Sequence, residues 1–168
     1  MKVPVPRKVL LVCTANQCRS PAAEYLLRQR LADAGLKVGV ASAGVFAMSD
    51  IPAQPLTQKA MQELGLDLSE HRSQLATPEL IDEADLVLGM SRRHVEELQH
   101  INPYAARKIF LFRPFCEGRL WQAADPNEED DVEDPVGLPL EAHRACVGLI
   151  DELLADLVAG WREQTVRR

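Results

Sequence analysis

The fourteen residues from Val9 to Ala22 restrict the fold of this chain more than any other stretch. Val9-Leu10-Leu11-Val12 is a short apolar run that ends on Cys13 and gives way at once to polar residues, the pattern of a buried strand rather than a helix turn. Ser20-Pro21 reads as a helix start, with Ser20 as N-cap and Pro21 at the first helical position, where no N–H is needed. The helix is expected from about Pro21 to Ala34, with Ala23, Leu26, Leu27, Leu31 and Ala34 on one face and Gly35 as its stop. A strand thus ends in a cysteine, a helix begins beside Arg19, and five residues lie between the two.

A short loop that closes onto a helix N-terminus turns successive backbone N–H groups inward, and with the helix dipole they form an anion site of phosphate size. Thr14, Ala15, Asn16, Gln17, Cys18, Arg19 and Ser20 are expected to line it. No glycine stands between Cys13 and Arg19, so any left-handed backbone there falls to Asn16. Arg19 brings a planar fork that grips two oxygens of a phosphoryl group. The same positive field stabilises a sulfur anion, which makes Cys13 the candidate nucleophile. A cysteine and an arginine at this spacing are a weak signal alone, and most buried cysteines are inert filler. The ordered string of strand, Cys13, Asn16, Cys18-Arg19-Ser20-Pro21 and helix is far more specific.

Further along, Val38 to Ser42 reads as a second strand, Asp85 to Met90 as a third and Lys108 to Phe112 as a fourth. Between them Leu56, Ala60, Met61 and Leu64 mark a helix closed by Gly65, Thr77-Pro78 caps a short one, and Ser91 caps the helix carrying Val95 and Leu98. The last helix, from Ala142 to Val158, keeps apolar residues at i, i+3 and i+4 for over four turns and places Cys146 in the core. Strands alternating with helices predict an α/β fold, a parallel sheet with helices on both faces and a ligand site beyond the strands' carboxyl ends.

With 168 residues and 46% apolar content, one domain over residues 1–168 is expected, large enough to bury a full core. No apolar run suggests a signal peptide or a membrane span, and four cysteines without metal-ligand spacing suit a reducing compartment, so a cytoplasmic protein without membrane partners is expected. The net charge of −6 is concentrated between Asp125 and Asp134, which hold seven acids and no base, and no basic face for nucleic acid is present. His94, His100, His143, Cys116 and Trp121 show no partner in the sequence and receive no role.

The cysteine loop resembles that of the low-molecular-weight protein tyrosine phosphatases, whose signature is a cysteine followed by x-G-N-x-C-R-S-P; Ala15 departs from it where the family usually has glycine. Ser42-Ala43-Gly44, Gly65-x5-His71-Arg72, Asp85-Leu86-Val87-Leu88-Gly89-Met90 and Asp134-Pro135 extend the resemblance along nearly the whole chain. It implies a four-stranded sheet in the order 2-1-3-4 and a metal-independent hydrolase that uses no cofactor and acts on phosphorylated proteins, as a monomer or weak dimer. Asp134 then matches the family's general acid, its proton favoured by the neighbouring charges of Asp131 and Glu133, while Ser42 and His71 match the residues that hold Asn16. Ser20, besides capping, can donate its hydroxyl to the Cys13 sulfur, and Cys18, across the same small loop, either forms a disulfide with Cys13 under peroxide or only packs under the loop.

Phosphotyrosine is the expected substrate, with Phe46 and Met48 as one pocket wall. The aromatic that usually follows the Asp-Pro pair is replaced by Val136, and several flanks resemble the bacterial protein-arginine phosphatase branch, which keeps phosphoarginine as the alternative. Arsenate reductases on the same scaffold place a resolving cysteine pair in mid-chain, absent here between Cys18 and Cys116. A non-catalytic phosphoresidue-binding module would not need Cys13, Arg19 and Asp134 together.

Overall fold

The computed structural model describes residues 4–119 and 128–167; Trp121 and Asp125, the first acid of the charged run, lie outside them. Four parallel strands, β1 (Lys8–Cys13), β2 (Gly39–Gly44), β3 (Leu86–Gly89) and β4 (Ile109–Leu111), form one sheet in the order β2-β1-β3-β4. The order expected from the resemblance is the order observed. β1 is central, and its alternation decides both faces. Val9, Leu11 and Cys13 join the core under α1 (Arg19–Ala34), α2 (Pro55–Glu63), α5 (Phe112–Cys116) and α6 (Leu140–Val166). Leu10 and Val12 point to the other side, against α3 (Pro78–Glu83) and α4 (Arg92–Ile101). Val9, Leu10, Leu11 and Val12 are all at least 99% buried, each contributing about 1.5–3 kcal/mol by leaving water.

The chain leaves β1 toward β2 on one side and later fills β3 on the other, so the turns after β1 and β3 diverge and open a crevice at the carboxyl ends of these strands. Cys13 stands at that end of β1, paired with Gly44 of β2. The turn after β3 is tied alongside, with Met90 N donating to Val12 O at 2.9 Å.

Several boundaries differ from the sequence expectation. α1 begins at Arg19, its N-cap is Cys18, and no side chain caps it. Ser20 is therefore inside the helix, its hydroxyl turned into the loop. β2 runs on to Gly44 and includes Ser42. The fourth strand stops at Leu111, because Phe112 opens α5; Pro114 is tolerated in that helix's first turn, where its missing N–H has no helical partner to lose. Cys146 is 9% exposed and belongs to the core as expected. Among the described residues no helix is long and apolar enough to cross a membrane.

Candidate active site

The loop from Thr14 to Cys18 begins where β1 releases the backbone and ends at the first turn of α1. Asn16 alone among these residues is left-handed, with φ 56°, so Ala15 takes the usual glycine position without a left-handed backbone. Gly44 makes the loop's approach possible: a Cβ there would lie 2.4 Å from Thr14 O and 2.8 Å from Asn16 N. Among the described residues, none of the backbone N–H groups of residues 14–18 donates to a protein acceptor, which leaves a ring of donors at the N-terminus of α1.

Asn16 is fully buried and holds the loop's shape through both ends of its side chain. Its Nδ2 donates to Ser20 Oγ at 2.8 Å and to Ser42 Oγ at 2.9 Å, and its Oδ1 accepts from Gln74 N at 3.0 Å. His71 Nε2 donates to its backbone oxygen at 2.7 Å. The Ser42 hydroxyl donates to Glu24 Oε1 at 2.7 Å, and Glu24 is in turn paired with Arg28 at 2.8 Å. Ser20 Oγ, filled from one side by Asn16, lies 3.0 Å from Cys13 Sγ. A buried carboxylate thus anchors a polarised chain that ends on the candidate nucleophile.

Arg19 is 95% buried. Nη1 donates to Val132 O at 2.9 Å, while Nη2 lies 3.4 Å from Thr14 Oγ1 and 3.3 Å from Asp134 Oδ2. Nε is buried and has no hydrogen-bond partner among the described residues. A cationic donor left unpaired inside a protein is costly unless a ligand completes it. Asp134 is 40% exposed at its side chain, and its Oδ1 accepts from Val136 N at 3.1 Å. Its loop is pinned to the β3 turn by Val132 N donating to Met90 O at 2.8 Å. Asp131 does not sit as a bare charge beside Asp134: its carboxylate accepts from Arg92 N at 2.9 Å and lies 3.8 Å from the Arg92 guanidinium, which offsets the repulsion expected from the sequence.

Cys18 is buried under the loop beside the Thr57 hydroxyl, and burial pushes its thiol up to about 11. Gln17 is tied outward to the start of α2, its side-chain oxygen accepting from Gln54 Nε2 at 2.8 Å. Phe46 is joined to the loop by its N–H to Thr14 O at 2.9 Å and lies under the Arg93 guanidinium, 5.8 Å from the ring centre. Met48 follows it and is largely exposed, as is Val136 across the loop.

The model of the family described as low molecular weight phosphotyrosine protein phosphatase matches residues 8–167. This chain belongs to that family. It is 35% identical over 144 residues to a probable low molecular weight protein-tyrosine-phosphatase, EpsP, of Ralstonia solanacearum, covering 86% of this chain and 88% of that one. It is 34% identical over 149 residues to the protein-arginine-phosphatase of Bacillus subtilis, covering 89% and 93%. The solved structure of the YwlE arginine phosphatase from Geobacillus stearothermophilus superposes with a TM-score of 0.84 at 32% identity over 97% of each chain. Members of this phosphatase family are cysteine-dependent hydrolases.

In this phosphatase scaffold the structure brings the expected residues into two networks that share the loop: Cys13, Ser20, Asn16, Ser42 and His71 in one, and Thr14, Arg19 and Asp134 in the other. The sequence reading did not find three residues that join them. Glu24 reads as an ordinary helix-surface acid, though its place four residues before Arg28 is a signal for the pair that accompanies it. His94 is buried at the third position of α4 and bonded to Thr14 Oγ1 at 2.8 Å. Its spacing three residues after Ser91 signals a capping box once histidine is allowed in the role of Glu or Gln. Thr57 touches Cys18 and bonds His143 Nδ1 at 2.9 Å, so His143 is a structural partner in the core.

Proposed function

We propose that this chain hydrolyses phosphotyrosine monoesters in proteins through a cysteinyl-phosphate intermediate. The observation that carries the reading is that one short loop combines N–H groups without protein acceptors among the described residues, a buried guanidinium whose Nε has no hydrogen-bond partner among them, and a buried cysteine whose sulfur lies 3.0 Å from Ser20 Oγ. The phosphoryl dianion binds to the N–H groups of residues 14–19 and to Arg19, which spread its charge as the equatorial oxygens gain it. Cys13 Sγ attacks phosphorus in line; the S–P bond forms as the P–O bond to the leaving group breaks, and Asp134 gives that oxygen its proton. In the second step Asp134 takes a proton from water, the water oxygen bonds to phosphorus, and the S–P bond breaks with Ser20 Oγ supporting the departing thiolate. Asn16, Ser42 and His71 hold the loop, and Phe46 and Met48 flank the entrance.

Turnover of p-nitrophenyl phosphate without added metal, lost in Cys13→Ser while that variant still binds inorganic phosphate, tests the reading. A serine variant that kept a tenth of the activity would remove Cys13 from its role. Protein-arginine phosphatase activity is the second reading, favoured by Val136 in place of an aromatic wall after Asp134-Pro135 and by the similarity to the B. subtilis enzyme. A comparison of kcat/KM on phosphotyrosine and phosphoarginine peptides decides between them. Action in the cytoplasm is part of the proposal, supported by four free cysteines.

A further inference from the structure

We propose that His94 is a positioning residue for the anion loop: as a neutral imidazole held by the α4 cap, it fixes the Thr14 hydroxyl, and through it one side of the Arg19 guanidinium. The inference rests on the phosphatase reading of the loop and adds to it a residue on a different element of the fold.

His94 is fixed before it reaches the site. Ser91 N donates to His94 Nδ1 at 3.0 Å, so Nδ1 carries no proton and the hydrogen is on Nε2. The ring cannot drift, because α4 lies close on β3: a Cβ on Gly89 would meet His94 Cβ at 3.1 Å and Val95 N at 3.2 Å. Nε2–H then donates to Thr14 Oγ1 at 2.8 Å, and Arg19 Nη2 donates to the same oxygen from 3.4 Å. Both lone pairs of that oxygen are taken, which leaves its own hydrogen as a donor toward a third partner. Thr14 is thus held as a hydrogen-bond donor at the first position of the loop, and Arg19 is held between Thr14 on one side and Val132 O on the other.

Protonation would defeat the arrangement. A hydrogen on Nδ1 would face the Ser91 N–H, and the charge would lie beside Arg19 and Arg93 at a side chain that is 2% exposed. Burial first, and then these two guanidiniums, hold the imidazole down to about 3. Among the described residues, the charged groups that act on it are those two arginines, and its hydrogen-bond partners are Ser91 and Thr14.

The test is inhibition of p-nitrophenyl phosphate hydrolysis by inorganic phosphate, with direct titration of phosphate by calorimetry. His94→Ala and Thr14→Val are each expected to weaken phosphate binding and kcat/KM about tenfold, the size of one hydrogen bond to a charged network. The double variant should be no worse than either single one, since both remove the same link. His94→Gln should stay within about twofold of the parent, because glutamine at this position both accepts the Ser91 N–H and donates from Nε2. Ser91→Ala, which weakens the cap and leaves the His94–Thr14 bond, should lower the melting temperature without moving the phosphate constant. Thr14→Val is nearly isosteric and decides the matter if His94→Ala does not fold. Unchanged phosphate binding in Thr14→Val, additive losses in the double variant, or a His94→Gln as poor as His94→Ala would overturn the role. A parent that neither hydrolyses the ester nor binds phosphate overturns the phosphatase reading itself, a result distinguishable from any of these.

Discussion

Asn16 is the residue on which the loop's shape depends most, and the cost of losing it can be worked out from its contacts. Asn16→Ala removes three hydrogen bonds, the buried ones to Ser20 Oγ and Ser42 Oγ and a part-buried one from Gln74 N. The two bonds to serine oxygens, at about 1 kcal/mol each, give roughly 2 kcal/mol, and the Gln74 N–H left without its acceptor costs about 1–3 kcal/mol. The backbone adds a separate term. With φ at 56°, alanine pays about 1 kcal/mol that glycine does not, partly offset by glycine's freer unfolded chain. Asn16→Ala is therefore expected to lose about 4–6 kcal/mol, and Asn16→Gly roughly half a kcal/mol less. Losses of this size approach the whole stability of an ordinary domain. Urea unfolding followed by circular dichroism measures both, and p-nitrophenyl phosphate turnover at low temperature reads the loop in whatever fraction remains folded. An alanine variant within about 1 kcal/mol of the parent, or a glycine variant less stable than the alanine one, would refute the reasoning.

Asp134→Asn is expected to slow hydrolysis of esters with poor leaving groups by about 10²–10⁴ and of activated esters much less, and equal losses on both would end the general-acid assignment. Peroxide should oxidise Cys13 to a sulfenic acid, which the Cys18 thiol displaces as water to form a disulfide; Cys18→Ser should then turn a thiol-reversible inactivation into an irreversible one, read by recovery with dithiothreitol. Acidification should cost stability through His94. The unfolded histidine takes up a proton near its ordinary 6.5 and the folded one only near 3, so stability is full above 6.5 and declines as pH falls through that window. His94→Gln, which cannot titrate, should lose less between pH 7.5 and 4.5 in urea midpoints; equal losses would dismiss the linkage.

The elements with strong periodicity and clean punctuation were readable from the residues: β1 from an apolar run cut by polar residues, α6 from its long i, i+3, i+4 pattern, α4 from Ser91. Strand order was not, since β2 and β3 flank β1 by a choice of crossover that leaves no mark in local pattern. α5 was hidden because Ile109 to Phe112 looks like one continuous strand, and only tertiary packing ends it at Leu111. In the site, residues within the loop's own string were legible, as were Ser42, His71 and Asp134 by resemblance. Glu24 and His94 were not, because their partners lie 18 and 80 residues away and arise from the register of β2 and the close seat of α4 on β3.

Arg19 explains why these distant pieces have to meet. Its guanidinium touches the first loop residue at Thr14, the acid loop at both Val132 O and Asp134, and leaves Nε for a ligand. Lysine, a point charge on a flexible stem, has no geometry that would serve all of these at once. On the proposed reading, a dianion entering the loop would compete with Asp134 for Nη2, whereas the Val132 carbonyl and the Thr14 oxygen are held by the backbone and His94. Binding, on that reading, then releases the carboxyl from the cation. Filling the proposed anion site would thus free Asp134 for the leaving oxygen.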